Sequence, residues 1–209
     1  MPFLELYKKS FAGLSPKVWI LSFAMLINRS GSMVLLFTSL YLTKDLHYTL
    51  AQAGSVMSLY GIGSILGSYT GGWLTDRGNF YDIMVTSLFV CALVLLMMVF
   101  VTSIYGIAII IFLYAFTADL FRPANSSAIA FYSESNNRTR SVSLVRMATN
   151  LGFTIGPAIG GFVAHYLGYK WLFVIDASTS IGAALMLIFN LPRRKIEHEH
   201  HQEKQVMAK

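Results

Sequence analysis

The sequence predicts an all-α integral membrane protein whose six transmembrane helices form two inverted three-helix repeats. Three observations predict it: a shortage of charge, six long apolar stretches, and a glycine pattern that occurs twice. Of the 209 residues, 55% are hydrophobic and only 12% are charged, and mean hydropathy is +0.58. Soluble domains carry about 25% charged residues. A chain with half that share has too few water-facing side chains to cover a soluble core, which places it in the membrane class.

A helical span needs roughly 20 mostly apolar residues. Six stretches qualify, at residues 18–41, 50–74, 83–101, 105–132, 142–166 and 171–191. They lack the polar–apolar alternation of barrel strands, so the spans are helices. Charge sets their orientation. Counted on alternate sides of the six spans, one side holds twelve Lys and Arg residues and the other holds Lys44 and Lys170. Basic residues accumulate on the cytoplasmic side, so both termini are expected there, in a multi-pass protein of the cell membrane. The net charge of +6 is then a matter of topology and calls for no nucleic-acid partner.

The expected domain plan is a cytoplasmic leader at 1–17, a six-helix domain at 18–191 and a cytoplasmic tail at 192–209. Within the leader, Phe3–Leu14 mixes aromatics with Lys8 and Lys9, which suits either an interfacial amphipathic helix or a plain polar leader. The first apolar run is too long for a secretory signal. In the tail, His198, His200 and His201 have no fixed ligand spacing, so neither a metal nor a cofactor is expected. The single cysteine, Cys91, falls in the third span and reads as a small apolar residue.

The internal repeat is the most informative pattern. Gly63, Gly67, Gly71 and Gly72 precede Trp73 and Leu74 in the second span; Gly152, Gly156, Gly160 and Gly161 precede Phe162 and Val163 in the fifth. Both read G-x-x-x-G-x-x-x-G-G, then an aromatic and an aliphatic residue, at an offset of 89 residues. That offset covers three spans, and an odd number reverses orientation across the bilayer. Inverted repeats of this kind are characteristic of secondary transporters. Spacing by four also puts the glycines on one helix face, where backbones can approach closely.

The end of the second span reads Gly72-Trp-Leu-Thr-Asp76-Arg77-Gly78-Asn79. This resembles the major facilitator signature G-x-L-x-D-R-x-G-R-R between helices 2 and 3, matching at Gly72, Leu74, Asp76 and Arg77. Asn79 stands where the second glycine is expected. Asn tolerates positive φ best after Gly, so the turn is expected to survive. The two basic positions are Phe80 and Tyr81, followed by Asp82, which departs from the family's basic cluster. The resemblance implies one half of the major facilitator fold. It also implies that Asp76, with Arg77 as its partner, latches this half to the other; a helix-end salt bridge is the alternative.

The fifth span, with Gly152, Gly156, Pro157, Gly160 and Gly161, is similar to the family's antiporter motif G-x-x-x-G-P-x-x-G-G. Pro157 removes a backbone donor and is expected to bend the helix. Arg138, Arg140, Arg146 and Asn150 resemble the family's cytoplasmic loop entering helix 5. The stretch Phe173–Ala177 resembles the entry to helix 6, with Asp176 in a structural hydrogen-bonding role.

Charges inside the spans complete the reading. Arg29, beside Asn28, lies in the first span, and Asp119 and Arg122 lie in the fourth. A charge at the bilayer centre costs at least about 2.5 kcal/mol, so each is expected to face a cavity or a partner. The resemblance places helices 1 and 4 on the central cavity. Arg29, Asp119 and Arg122 are therefore expected to form a cavity network in which Asp119 gains and loses a proton. A self-neutralising Asp119–Arg122 pair is the alternative.

The expected function is secondary active transport of a small molecule by proton-coupled alternating access, with the antiporter-type motif favouring efflux. Proton-coupled uptake of an anionic solute and a non-transporting half that binds a membrane partner are the alternatives. The sequence has no G-x-S-x-G elbow, H-E-x-x-H helix or paired N-P-A loops, so an enzyme or channel is not expected. The implied partners are the lipid bilayer, a small-molecule substrate, protons, and a missing carboxy-terminal six-helix half or a second chain.

Overall fold

The computed structural model describes residues 11–193. The readings made for residues 1–10 and 194–209, including most of the leader and the histidine tail, lie outside the described residues. The described residues form helices and no strands: α1 (Pro16–Gly31), α2 (Val34–Leu40) running into a π-helical turn (Tyr41–Asp45), α3 (Leu50–Arg77), α4 (Phe80–Met98), α5 (Ile104–Tyr132), α6 (Arg138–Tyr166) and α7 (Lys170–Asn190). Five helical stretches are long and apolar enough to cross a membrane: Pro16–Asp45 and the four helices α4 to α7. With 28 residues, α3 has the length but carries many Gly and Ser residues.

Local chemistry starts and stops these helices. Ser15 caps α1 by accepting from the Lys17 amide, with Pro16 in the first turn, where its missing N–H costs nothing. Thr49 and Gln52 close a reciprocal capping box on α3, satisfying donors that the helix itself cannot. The expected positive φ at Asn79 is not found. Asn79 has φ −89° and caps α4, its side chain accepting from the Tyr81 amide. The tight turn is thus built by a cap instead of a left-handed residue. Gly168 takes φ +92° and donates to the Val163 carbonyl at 3.1 Å, which ends α6.

The first span departs from the single helix expected at residues 18–41. It breaks between Gly31 and Val34. Ser32 has φ −68° and ψ 61°, and the Met33 amide donates to the Gly31 carbonyl at 2.6 Å, which together make an inverse γ-turn. The cause is local. Gly31 and two serines weaken helix propensity, and the Ser30 and Ser32 hydroxyls bond back to the Leu26 and Asn28 carbonyls. Gly31 also presses on α7, where an added Cβ would run into Thr179 and lie 3.1 Å from the Asp176 Cα.

The packing is reciprocal. α3 lies along α5, and α6 lies along the first span; α4 packs on α5 as α7 packs on α1, and α4 and α7 pack on each other. Both glycine rows are at work in these contacts. Cβ atoms on Gly63, Gly67 and Gly71 would strike the backbone of Phe112, Phe116 and Leu120 on α5. Cβ atoms on Gly152, Gly156 and Gly160 would meet Arg29, Ser30 and Phe37 of the first span. Both runs match at equivalent positions, as the 89-residue offset anticipates.

The interior is layered. One apolar cluster gathers Val18, Leu21, Met84, Leu144 and Leu187; another gathers Val34, Leu42, Leu95, Ile107 and Phe173. Polar side chains of α1, α4, α5 and α7 lie between them around a small cavity.

Candidate functional site

The fourth-span charges come together through helix geometry. Asp119 and Arg122 are three residues apart on α5, which brings them to neighbouring positions on one face. The Arg122 Nε lies 3.4 Å from the Asp119 carboxylate. Asp119 also accepts from the Ser64 hydroxyl of α3. The carboxylate is thus held between two helices at the level of the glycine row, and the residue is 8% exposed. Arg122 extends outward, its side chain 65% exposed.

Arg29 does not join them in an ion pair among the described residues. Its guanidinium lies over the Phe153 ring of α6, 5.3 Å from the centroid, an attraction between a cation and the negative ring face. Its Nε is buried without a hydrogen-bond partner among the described residues. Asn28 donates to the Ser180 hydroxyl of α7 at 3.2 Å. Both residues line a cavity of about 10 Å³ with Ser87, Cys91, Tyr114, Thr117, Asp176 and others. The structure therefore divides the expected trio into two centres: Asp119 with Arg122 and Ser64, and Arg29 with the buried Asp176 layer.

A larger cavity, about 390 Å³, opens beside the first centre. Arg122, Asn125 and Ser126 of α5 and Arg146 of α6 supply its polar lining, and Met25, Phe121 and Ile129 are among its apolar residues. Asn125 is 6% exposed, and its Oδ1 has no partner among the described residues. A polar atom left unpaired at a cavity wall suits a bound solute or water.

At the end of α3 the geometry is specific. Arg77 lies 4.3 Å over the Trp73 ring, and no ion pair joins it to Asp76 among the described residues. Asp76 is exposed, and Gly72, like Gly161 on α6, has open space where a Cβ would sit. Asp82, the acidic departure from the basic pattern, pairs with Arg193 at 2.9 Å and holds that guanidinium's pKa above its ordinary value. The α3–α4 turn is thereby tied to the end of α7. Pro157 lies inside α6, which continues as one helix through it.

Sequence reasoning missed Ser64, Asn125 and the contact between Tyr114 and Asp176. Ser64 and Tyr114 meet partners on other helices, and no local spacing signals such a pair. Asn125 does stand three residues after Arg122, a spacing that marks a shared face.

The family model of the Major Facilitator Superfamily matches residues 18–208. The chain belongs to that superfamily. Among curated facilitators, it is 25% identical over 158 residues to a multi-drug resistance efflux pump, the PmrA homolog of Lactococcus lactis subsp. lactis strain IL1403, covering 74% of this chain and 37% of that one. It is also 25% identical over 174 residues to a probable galactarate/D-glucarate transporter, GudP of Escherichia coli K12, covering 80% and 37%. The fold matches solved transporters. A peptide transporter POT in complex with sulfate superposes with TM-score 0.72 at 18% identity, over 95% of this chain and 44% of that one. A bacterial homolog of the human lysosomal transporter Spinster, inward-facing and occupied, gives 0.69 at 15% identity over 87% and 46%. The chain thus spans less than half the length of these facilitators. Membrane transport of a small molecule is the activity this family supports.

Proposed function

We propose that this chain is the amino-terminal half of a proton-coupled secondary transporter that exports small molecules by alternating access. The observation that carries the reading is Asp119, a buried carboxylate held by Ser64 of α3 and Arg122 of α5. A carboxyl group that exchanges a proton changes its hold on both partners at once, and so biases one packing of the two helices over another. The efflux relative and the glycine–proline motif of α6 support the outward direction.

The half has six spans in this reading, with α3 crossing the bilayer despite its glycines. Residues 18–191 form two inverted triplets with both termini cytoplasmic. The reciprocal helix contacts support the repeats. Exposed Asp76 is the latch toward a second half, contributed by further sequence or a second chain, and Gly72 and Gly161 leave room on α3 and α6 for its helices.

A second reading, uptake of an anionic solute, is favoured by one observation: Arg122 and Arg146 line the same cavity of about 390 Å³. Inside-out membrane vesicles carrying a preset proton gradient separate the readings. For efflux, a cationic drug should discharge the gradient, and Asp119→Asn should abolish that discharge. Discharge that needs a sugar diacid loaded inside the vesicles, and that no added drug produces, would favour uptake, since a symporter carries solute and proton out of the acidic lumen together. Proton-driven transport that survives Asp119→Asn unchanged would remove Asp119 from the mechanism. No discharge by either solute would refute transport by the chain alone.

A further inference from the structure

One face of α5 and the opening turns of α6 wall the cavity of about 390 Å³, a volume typical of small-molecule sites, which run roughly 300–1,000 Å³. Residues four apart share a helix face. Phe121, Asn125 and Ile129 therefore form one row on α5, and Arg122 and Ser126 form the next. Arg146 answers them from α6, beside Val145. Both arginines are exposed residues of this wall.

The charges of this wall do not cancel. No carboxylate lines the cavity among the described residues. Arg122 is paired with Asp119, 3.4 Å from its Nε, whereas Arg146 has no ion pair among the described residues. Two guanidiniums against one carboxylate leave a single positive charge at the cavity. One negative charge on a solute balances it, a second is in excess, and a cation is repelled. Asn125 makes a different demand. It is 6% exposed, and its Oδ1 has no partner among the described residues. An amide oxygen accepts only, so it cannot serve the anionic group and calls for a hydroxyl or N–H elsewhere on the same solute. Phe121, Ile129 and Val145 supply apolar wall.

We propose that this cavity binds an organic monoanion that also carries a hydrogen-bond donor. Arg122 and Arg146 hold the anionic group, where guanidinium forks suit an oxyanion. Asn125 accepts from the donor, and Phe121 and Val145 lie against the apolar body. The assignment rests on the anionic-solute reading of this cavity and narrows its solute by charge and by hydrogen bonding. Asn125 is the specificity-determining residue for the donor. Asp119 sets the charge that the cavity balances, since its removal leaves two positive charges and favours a dianion.

Equilibrium dialysis of the full chain in nanodiscs of neutral lipid, with empty discs as the baseline, compares four compounds of one skeleton. They are para-hydroxyphenylpropanoate, its para-methyl analogue, tyramine as the cation and para-hydroxybenzylmalonate as the dianion. At about pH 8 their carboxylates and amine are ionised and their phenols are not. The hydroxylated monoanion should bind at least about tenfold tighter than each of the other three, the size set by an unmet buried acceptor or an unbalanced charge. Asn125→Leu should bind the hydroxyl and methyl compounds alike, and Asp119→Asn should turn the preference toward the dianion. Tyramine, the methyl compound or the malonate binding the unmodified chain as tightly as the monoanion would overturn the proposal. So would no binding by any of the four, a hydroxyl preference that survives Asn125→Leu, or a charge preference unmoved by Asp119→Asn. The comparisons in the unmodified chain decide whether or not the variants fold. Binding is read without a gradient, so it can fail while the vesicles transport, and the vesicles can fail while the monoanion binds.

Discussion

Buried polar side chains in this bundle are specified by partners on other helices. Asp119 shows the consequence, because Ser64 and Arg122 answer it from different directions. Arg122 is mostly exposed, so its attraction to the carboxylate is screened by its surroundings and adds little by itself. The Ser64 hydroxyl is the better placed donor. Ser64→Ala should therefore destabilise the chain by about 1–3 kcal/mol, the usual penalty for leaving a buried acceptor short of a donor. Asp119→Asn in the same background should recover part of the loss, since it removes the buried charge that has lost its hydroxyl donor. Denaturant titration of both variants in mixed micelles measures the pair; equal stability of Ser64→Ala and the parent chain would contradict the geometry. The Asp119–Arg122 contact was legible in the sequence from spacing by three. Ser64 was not, being 55 residues from Asp119, and neither was Tyr114, 62 residues from Asp176. Arg29 was legible as a buried charge but not as a neighbour of Phe153 and the Asp176 cavity. Its environment is made by four helices converging, and no local pattern encodes that.

Among the helices, glycine decides which faces touch. A Gly→Ala change inside a helix gains up to about 1 kcal/mol from propensity, so the sign of its effect reports whether the face is closed. On α3 the two cases lie five residues apart. A Cβ on Gly67 would run into the Phe116 carbonyl, whereas one on Gly72 meets open space. Gly67→Ala should cost about 1–3 kcal/mol through overpacking, and Gly72→Ala should be neutral or stabilising. The same denaturant titration tests the pair, and a destabilised Gly72→Ala would mean that this face is covered. The glycine rows were readable because a four-residue spacing forces one face. The break in the first span was not. Its residues are apolar enough to pass for a continuous span, and the interruption comes from serine back-bonding combined with pressure from α7, a tertiary cause. The role of Asn79 was misread for a related reason: an Asn after Gly suits a left-handed turn and a helix cap alike, and the geometry of α4 selects the cap.

At the scale of the whole bundle, exchange of the first three helical stretches (α1 with α2, α3 and α4) with the last three (α5, α6 and α7) leaves the pattern of helix contacts among the described residues unchanged. That property is what an inverted repeat requires, and it depends on α3 crossing the bilayer as α6 does. α3 is the helix whose composition argues least for crossing, because close packing against α5 favours Gly and Ser over bulky apolar residues. Hydropathy and packing therefore point in opposite directions for this one element, and the sidedness of the connections around it decides between them. His47, Ser103 and Ser135 are exposed in the connections after α2, α4 and α5. With six spans and a cytoplasmic amino terminus, a cysteine in place of His47 or Ser103 faces outward, and one in place of Ser135 faces the cytoplasm. If α3 stays on one side, every later connection changes sides. The His47→Cys thiol still faces outward, but Ser103→Cys turns inward and Ser135→Cys outward. The native Cys91 is buried and can be replaced by Ser to clear the background. Labelling of intact cells with a membrane-impermeant maleimide should then modify His47→Cys and Ser103→Cys and spare Ser135→Cys until the membrane is opened. The reverse result at the last two positions would mean that α3 does not span, and would end the inverted-repeat reading with it.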